Sequence, residues 1–169
     1  MFKVGDTVVH PDYGAGVVTD LKEIAFLGNE GKRYYSIELL SQPGTTVMVA
    51  VRNEEKVGLR SPLSRSKLVQ VWHILRSGPS TLPSDHNERY ALLKAKLHEG
   101  DVFEIARVLR DLAWRQEKRR SLTIRGKRLY QESLELLASE VAGTQGSDFD
   151  IAQAQISDRL AASIAGAAV

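Results

Sequence analysis

The spacing of the apolar residues changes once along this chain, near Arg60, and that change leaves few possible folds. Before it, short runs alternate with turn residues, the period of a half-buried strand. After it, Leu68, Val71, Trp72 and Leu75 fall at i, i+3, i+4 and i+7, one face of a helix. A chain whose strands all precede its helices cannot interleave them, so a parallel sheet with crossover helices is excluded. No internal repeat is present. The expected class is α+β: a small Tudor-like or SH3-like β-barrel module, then an all-α helical bundle.

Within the first sixty residues the expected strands are Lys3 to Val9, Val17 to Leu27, Arg33 to Leu40 and Thr45 to Val51. A turn over His10-Pro11-Asp12-Tyr13-Gly14-Ala15-Gly16 separates the first two, Gly28-Asn29-Glu30-Gly31 ends the second, and Gln42-Pro43-Gly44 precedes the last. The helices follow in order. Gly78-Pro79 ends the first. Ser84 or Asp85 caps a second with Tyr90, Leu93 and Leu97 on its face, and Gly100 stops it. Asp101 with Glu104 reads as a capping box for a third, whose face is Ile105, Val108, Leu109 and Leu112. Ser121 or Thr123 opens a fourth with Tyr130, Leu134, Leu137 and Val141, broken at Gly143 to Gly146. Ser147 or Asp148 caps a last helix with Ile151, Ile156, Leu160 and Ile164. The expected divisions are 1–60, 61–142 and an acidic C-terminal helix or tail, 143–169. At 169 residues such modules are small, and a lone core below about 70 residues is marginal, so they should lean on each other.

Charge is unevenly placed. Arg115, Lys118, Arg119, Arg120, Arg125, Lys127 and Arg128 stand against Glu117 alone, a net +6 in a chain of net +2. From Leu129 onward six acids face one base. A block spread over a helix end, a loop and the next helix start can grip a polyanion. The bland alternative is a solvated surface that complements a helix dipole. The acidic tail could fold back on the block as an internal brake. Trp114 could stack or wedge, although its spacing also suits a partly buried core residue.

Little points to catalysis. There is no cysteine, which removes disulfides, thiolate chemistry and Cys-based metal sites. Gly14-Ala15-Gly16 lacks the third glycine and the helix that phosphate cradling needs. His10, His73, His86 and His98 form no ligand spacing, and no Gly-x-Ser-x-Gly elbow occurs. No enzyme activity, cofactor or metal is expected. Met1 to Asp6 is no signal peptide, and no run approaches the roughly 18 apolar residues of a spanning helix, so a cytoplasmic protein without membrane contact is expected.

Together the motifs resemble the CarD/CdnL family of bacterial transcription regulators. Val8-Val9-His10-Pro11-Asp12-Tyr13-Gly14-Ala15-Gly16-Val17-Val18 is similar to the family's opening strand–turn–strand, and Val57-Gly58-Leu59-Arg60 to the end of its first module. Val102 to Leu112 resembles its central helix and Leu134 to Val141 the next. The likeness runs from about Phe2 to Ala142. It implies a Tudor-like domain that binds the β subunit of RNA polymerase. It also implies a helical domain that contacts promoter DNA near the upstream edge of the bubble and modulates open-complex stability. A monomer is the working expectation. The expected DNA contacts are His86 and Arg89, from the resemblance, and the 115–128 cations, from their clustering. The implied polymerase contacts are Ile24, Thr46, Val47, Met48, Val49 and Ala50.

This chain departs from the family at several of those places. His86 stands where well-known members have a wedge tryptophan, and Glu88 and Ala91 replace basic residues, while Arg89 is retained. Arg125 and Gly126 stand where Gly and Glu are frequent, which shifts positive charge toward the 115–128 block. Ile24 and Met48 stand where some members carry arginine, and Ala50 where proline is common, which would make the polymerase face less ionic. The rival reading is a protein-interaction module that binds polymerase without productive DNA contact.

Overall fold

A computed structural model describes residues 1–25 and 31–167. Four strands, β1 (Thr7–His10), β2 (Gly14–Ile24), β3 (Lys32–Leu39) and β4 (Thr46–Ala50), form one antiparallel sheet in chain order. The turn after β1 is shorter than the sequence suggests. Gly14, Ala15 and Gly16 already pair with His10, Val9 and Val8, so only Pro11 to Tyr13 turn the chain. The first strand likewise begins at Thr7, not Lys3, because Gly5 takes a positive φ of 95°. The expected end of the second strand and its turn at 26–30 lie outside the described residues.

A register shift between Val18 and Asp20 bulges β2 and bends the sheet. Val8, Val18, Tyr35, Ile37, Val49 and Leu59 fill the concave side. After β4 a 3₁₀ turn (Val51–Asn53) carries the chain back, and Arg60 exchanges two backbone hydrogen bonds with Val9, at 2.7 and 3.1 Å.

Five helices follow: α1 (Arg65–Arg76), α2 (His86–His98), α3 (Val102–Arg119), α4 (Ile124–Gln145) and α5 (Phe149–Ala167). Their apolar faces meet in one core, with Leu75, Leu93, Leu109, Leu112, Leu137 and Ile156 fully buried. Asp85 caps α2 and Thr123 caps α4, each accepting from the backbone N–H three residues on. The capping box at α3 is not formed. Asp101 accepts from Phe103 N–H, but Glu104 turns away to pair with Arg107 and Lys96. Ile151 is exposed, outside the apolar face of α5, whereas Ala152, Ile156 and Leu160 are buried in the bundle.

Helix α4 joins the two modules. It runs unbroken through Gly143, because that residue lies against the sheet: a Cβ there would sit 3.0 Å from Thr7 Cγ2. One turn earlier, Ser139 Oγ accepts the Ala15 N–H at 3.0 Å and donates to Leu136 C=O. Gly14, with φ 80°, leaves room for this hydroxyl, since a Cβ would approach Ser139 Oγ to 2.4 Å. Beside it Glu140, 2 % exposed, accepts from Arg60 and from Leu63 N–H. The glycines that depart from their sequence expectation are those that let a helix and a sheet touch.

Candidate nucleic-acid interface

Three helix ends converge at the pole of the bundle: the start of α2, the end of α3 and the start of α4. Tyr90, 4 % exposed, holds them together. The His86 ring packs edge-on against it at 4.6 Å, and the guanidiniums of Arg89 and Arg125 lie 5.4 and 5.9 Å from its centroid. Its hydroxyl hydrogen-bonds Thr123 Oγ1, the side chain that caps α4. Gly126 permits this approach, because a Cβ there would lie 2.8 Å from the Tyr90 oxygen. Residues 33 positions apart are thereby locked into one corner. In the sequence Tyr90 is legible only as a core residue, although its i+4 spacing from His86 does place both on one helix face.

Beside Tyr90 a cleft of about 780 Å³ opens between the 79–84 segment and the end of α3. Arg89, Arg115, Lys118 and Arg119 line it, together with Trp114. The helical spacing 115, 118, 119 puts three cations on one face. The Arg115 pKa is lowered, first by partial burial and then by its neighbours Arg89 and Arg119.

Arg89 differs from the surface contact expected of it. It is 5 % exposed, and its guanidinium donates to Pro83 C=O (3.2 Å) and Ser84 C=O (3.1 Å) and meets His86 Nδ1 at 3.5 Å. Its charge fixes the approach to α2 and contributes to the local field; it is not a free hand for a phosphate. The sequence could not show this, because the partners are backbone carbonyls presented by an irregular loop.

Lys118, Arg119, Arg120, Arg125, Lys127 and Arg128 are exposed, as is His86. None of the seven cations of the 115–128 block makes an ion pair among the described residues. Arg120 stands apart: it ends α3 in a left-handed conformation (φ 65°) and borders a different groove, beside α5. That helix does not act as the expected electrostatic cover. Among the described residues none of its carboxylates pairs with the block, and Arg159 instead stacks 4.1 Å over Trp72. Unpaired cations beside two helix N-termini, where backbone N–H groups and the dipole favour anions, can hold phosphates.

On the sheet, β4 is an edge strand. Met48 faces out (41 % exposed), with Thr46 exposed and Ala50 partly so. The register Lys22↔Tyr34↔Ala50 and Ile24↔Lys32 places exposed Ile24 on the same outer face. Val49 does not belong to that surface: it is 5 % exposed and packs in the sheet core with partly buried Val47 against it. Alternation along a strand forces this division.

Two family models match. The CarD-like/TRCF RID domain covers residues 2–62, and the CarD C-terminal domain covers residues 70–157. Over 146 residues the chain is 30 % identical to the protein named "Putative transcription factor YdeB" of Bacillus subtilis (strain 168), spanning 86 % of this chain and 94 % of that one. The four-stranded sheet, the bundle behind it and both matched regions agree: the chain belongs to the CarD-like transcription factor family.

Proposed function

We propose that this protein regulates transcription by joining RNA polymerase to promoter DNA without catalysing a reaction. The outer face and free edge of β4, with Thr46, Met48, Ala50 and Ile24, dock on the polymerase β subunit. A partner strand can pair with the β4 backbone, which tolerates Met48 where some members carry arginine. The corner built on Tyr90, with Arg125, Lys127 and Arg128 of α4 and Arg115, Lys118 and Arg119 of α3, lies on promoter phosphates. Such contacts fix position and carry little base information, so sequence preference is weak. Holding duplex beside the melted segment changes the lifetime of the open complex. The protein works in the cytoplasm as a monomer.

The observation that carries this reading is the gathering of unpaired cations at three helix ends that a single buried tyrosine fixes in place. One observation favours the rival, a polymerase-binding module without DNA contact: Arg89 is spent inside the protein and His86 offers little apolar area. Gel shifts on a bubble template, with polymerase present and absent, decide between them. Salt-sensitive binding of the full chain to template is expected, strengthened by polymerase. Retention of the polymerase complex with no template contact would favour the rival. Met48→Glu should weaken capture of the β subunit by the full chain and leave template binding without polymerase unchanged.

A further inference from the structure

We propose that the cleft between residues 79–84 and the end of α3 is a nucleotide site, taking either a free nucleoside polyphosphate or one unpaired nucleotide of DNA. It shares Arg115, Lys118 and Arg119 with the DNA surface proposed above, but it rests on different observations and does not depend on duplex binding.

The cleft has a suitable size and lining. About 780 Å³ falls within the range of small-molecule sites. Leu82, Pro83 and Leu122 give it apolar lining, and Arg115, Lys118 and Arg119 give it charge. A body of fused rings and a chain of phosphates needs both kinds of wall, whereas an inorganic anion needs only the second.

Its charge is unbalanced. Asp111 is the one carboxylate lining the cleft, and it is already committed, to Arg110 at 2.9 Å and to Ser80 N–H at 3.0 Å. The four lining cations therefore repel one another without a counter-charge among the described residues, and the lowered Arg115 pKa shares that origin in part. An oligophosphate relieves that repulsion.

Two N–H donors buried within the cleft wall lack acceptors. Arg89 Nε and Trp114 Nε1 are buried and have no hydrogen-bond partner among the described residues, and both residues line the cleft. Buried N–H groups are rarely left unpaired in a folded protein. Arg89 itself is almost wholly buried, at 5 % exposure. The walls are already in position. Arg110 holds Ser77 Oγ and Ser80 Oγ, each at 2.8 Å, and Arg89 holds the carbonyls of Pro83 and Ser84. Both ends of the 79–84 segment are pinned, so little ordering is needed on binding.

The indole N–H signals of Trp114 and Trp72 make the test direct, since these are the only two tryptophans. The ¹⁵N-labelled full chain is titrated at constant ionic strength with ATP, pyrophosphate, sulfate and a four-nucleotide thymidine oligomer. A saturable shift of the Trp114 signal, with Trp72 unmoved, is expected from ATP or from the oligomer. Saturation by ATP assigns a free nucleotide, and saturation by the oligomer alone assigns unpaired DNA. The double variant Arg115→Gln, Lys118→Gln should weaken the effect at least about tenfold while the rest of the spectrum stays dispersed. Pyrophosphate matching ATP would overturn the nucleotide assignment. Equal shifts with sulfate, or no shift with either nucleotide probe, would overturn the site. Replacing Arg125, Lys127 and Arg128, which do not line the cleft, by alanine keeps the outcomes apart, since duplex gel shifts should then fail while the Trp114 response survives.

Discussion

The Arg60 guanidinium donates two hydrogen bonds, at 2.7 and 2.9 Å, to the Glu140 carboxylate eighty positions away, and so fastens the end of the sheet module to the last third of α4. Glu140 also accepts the Leu63 N–H, which orders the connection into α1. The carboxylate is almost wholly buried, while the Arg60 side chain is 37 % exposed.

Removing Arg60 strands that carboxylate. Breaking a fully buried pair costs about 3–5 kcal/mol, and the partial exposure of Arg60 reduces this to about 2–3 kcal/mol. Arg60→Ala should lower the urea midpoint accordingly. A decrease below about 0.5 kcal/mol would show that the pair is decoration and not a fastening.

The charge on α4 has a quantitative signature. Replacing Arg125, Lys127 and Arg128 together by alanine should weaken binding to any duplex. It should also reduce the slope of log K against log salt by roughly 0.9 for each phosphate no longer neutralised, near 3 in all. An unchanged slope in filter-binding or anisotropy titrations would place these residues off the DNA.

His86 sits exposed at the first turn of α2, edge-on to Tyr90. Its imidazole offers less apolar area than an indole for unstacking a base step. His86→Trp should therefore lengthen open-complex lifetime and tighten binding at a bubble edge, and His86→Ala should weaken both slightly. Indifference to both substitutions would remove His86 from the interface.

His10 gives a pH dependence. Its Nδ1 accepts the Asp12 N–H at 3.1 Å, which requires that nitrogen to be unprotonated. Burial lowers its pKa, partly opposed by the Asp12 carboxylate, which raises it. The unfolded chain takes up its proton near the ordinary value of about 6.5, before the folded protein does. The stabilisation is thus fully present above that value and is lost as pH falls through the lower folded pKa. The urea midpoint should drop between pH 7.5 and pH 5.5, and His10→Asn should shrink the drop. An equal drop in the variant would assign the effect to other groups.

Much of the fold is legible in the sequence. Leu68, Val71, Trp72 and Leu75, and Ile105, Val108, Leu109 and Leu112, are buried as their spacing requires, because a helix must cover an apolar face wherever its neighbours lie. What stays hidden depends on contacts between distant segments. Gly143 reads as a helix break on propensity, a cost of about 1 kcal/mol, and close approach to Thr7 and Ala15 outweighs it. Glu104 suits a capping box, but Arg107 and Lys96 compete for it with full charges. The site divides in the same way. The cations of the block are legible as composition. The burial of Arg89, the Tyr90–Thr123 bond and the cleft on Trp114 require the tertiary arrangement.

Helix α4 carries Arg125 at one end and Gly143 on the sheet at the other, with no break between them. Eighteen residue steps at 1.5 Å span about 27 Å, roughly eight base pairs of duplex. A rigid rod of that length works as a ruler. Under the proposed function, with polymerase on the sheet, the length of α4 sets the stretch of promoter that the far end can reach.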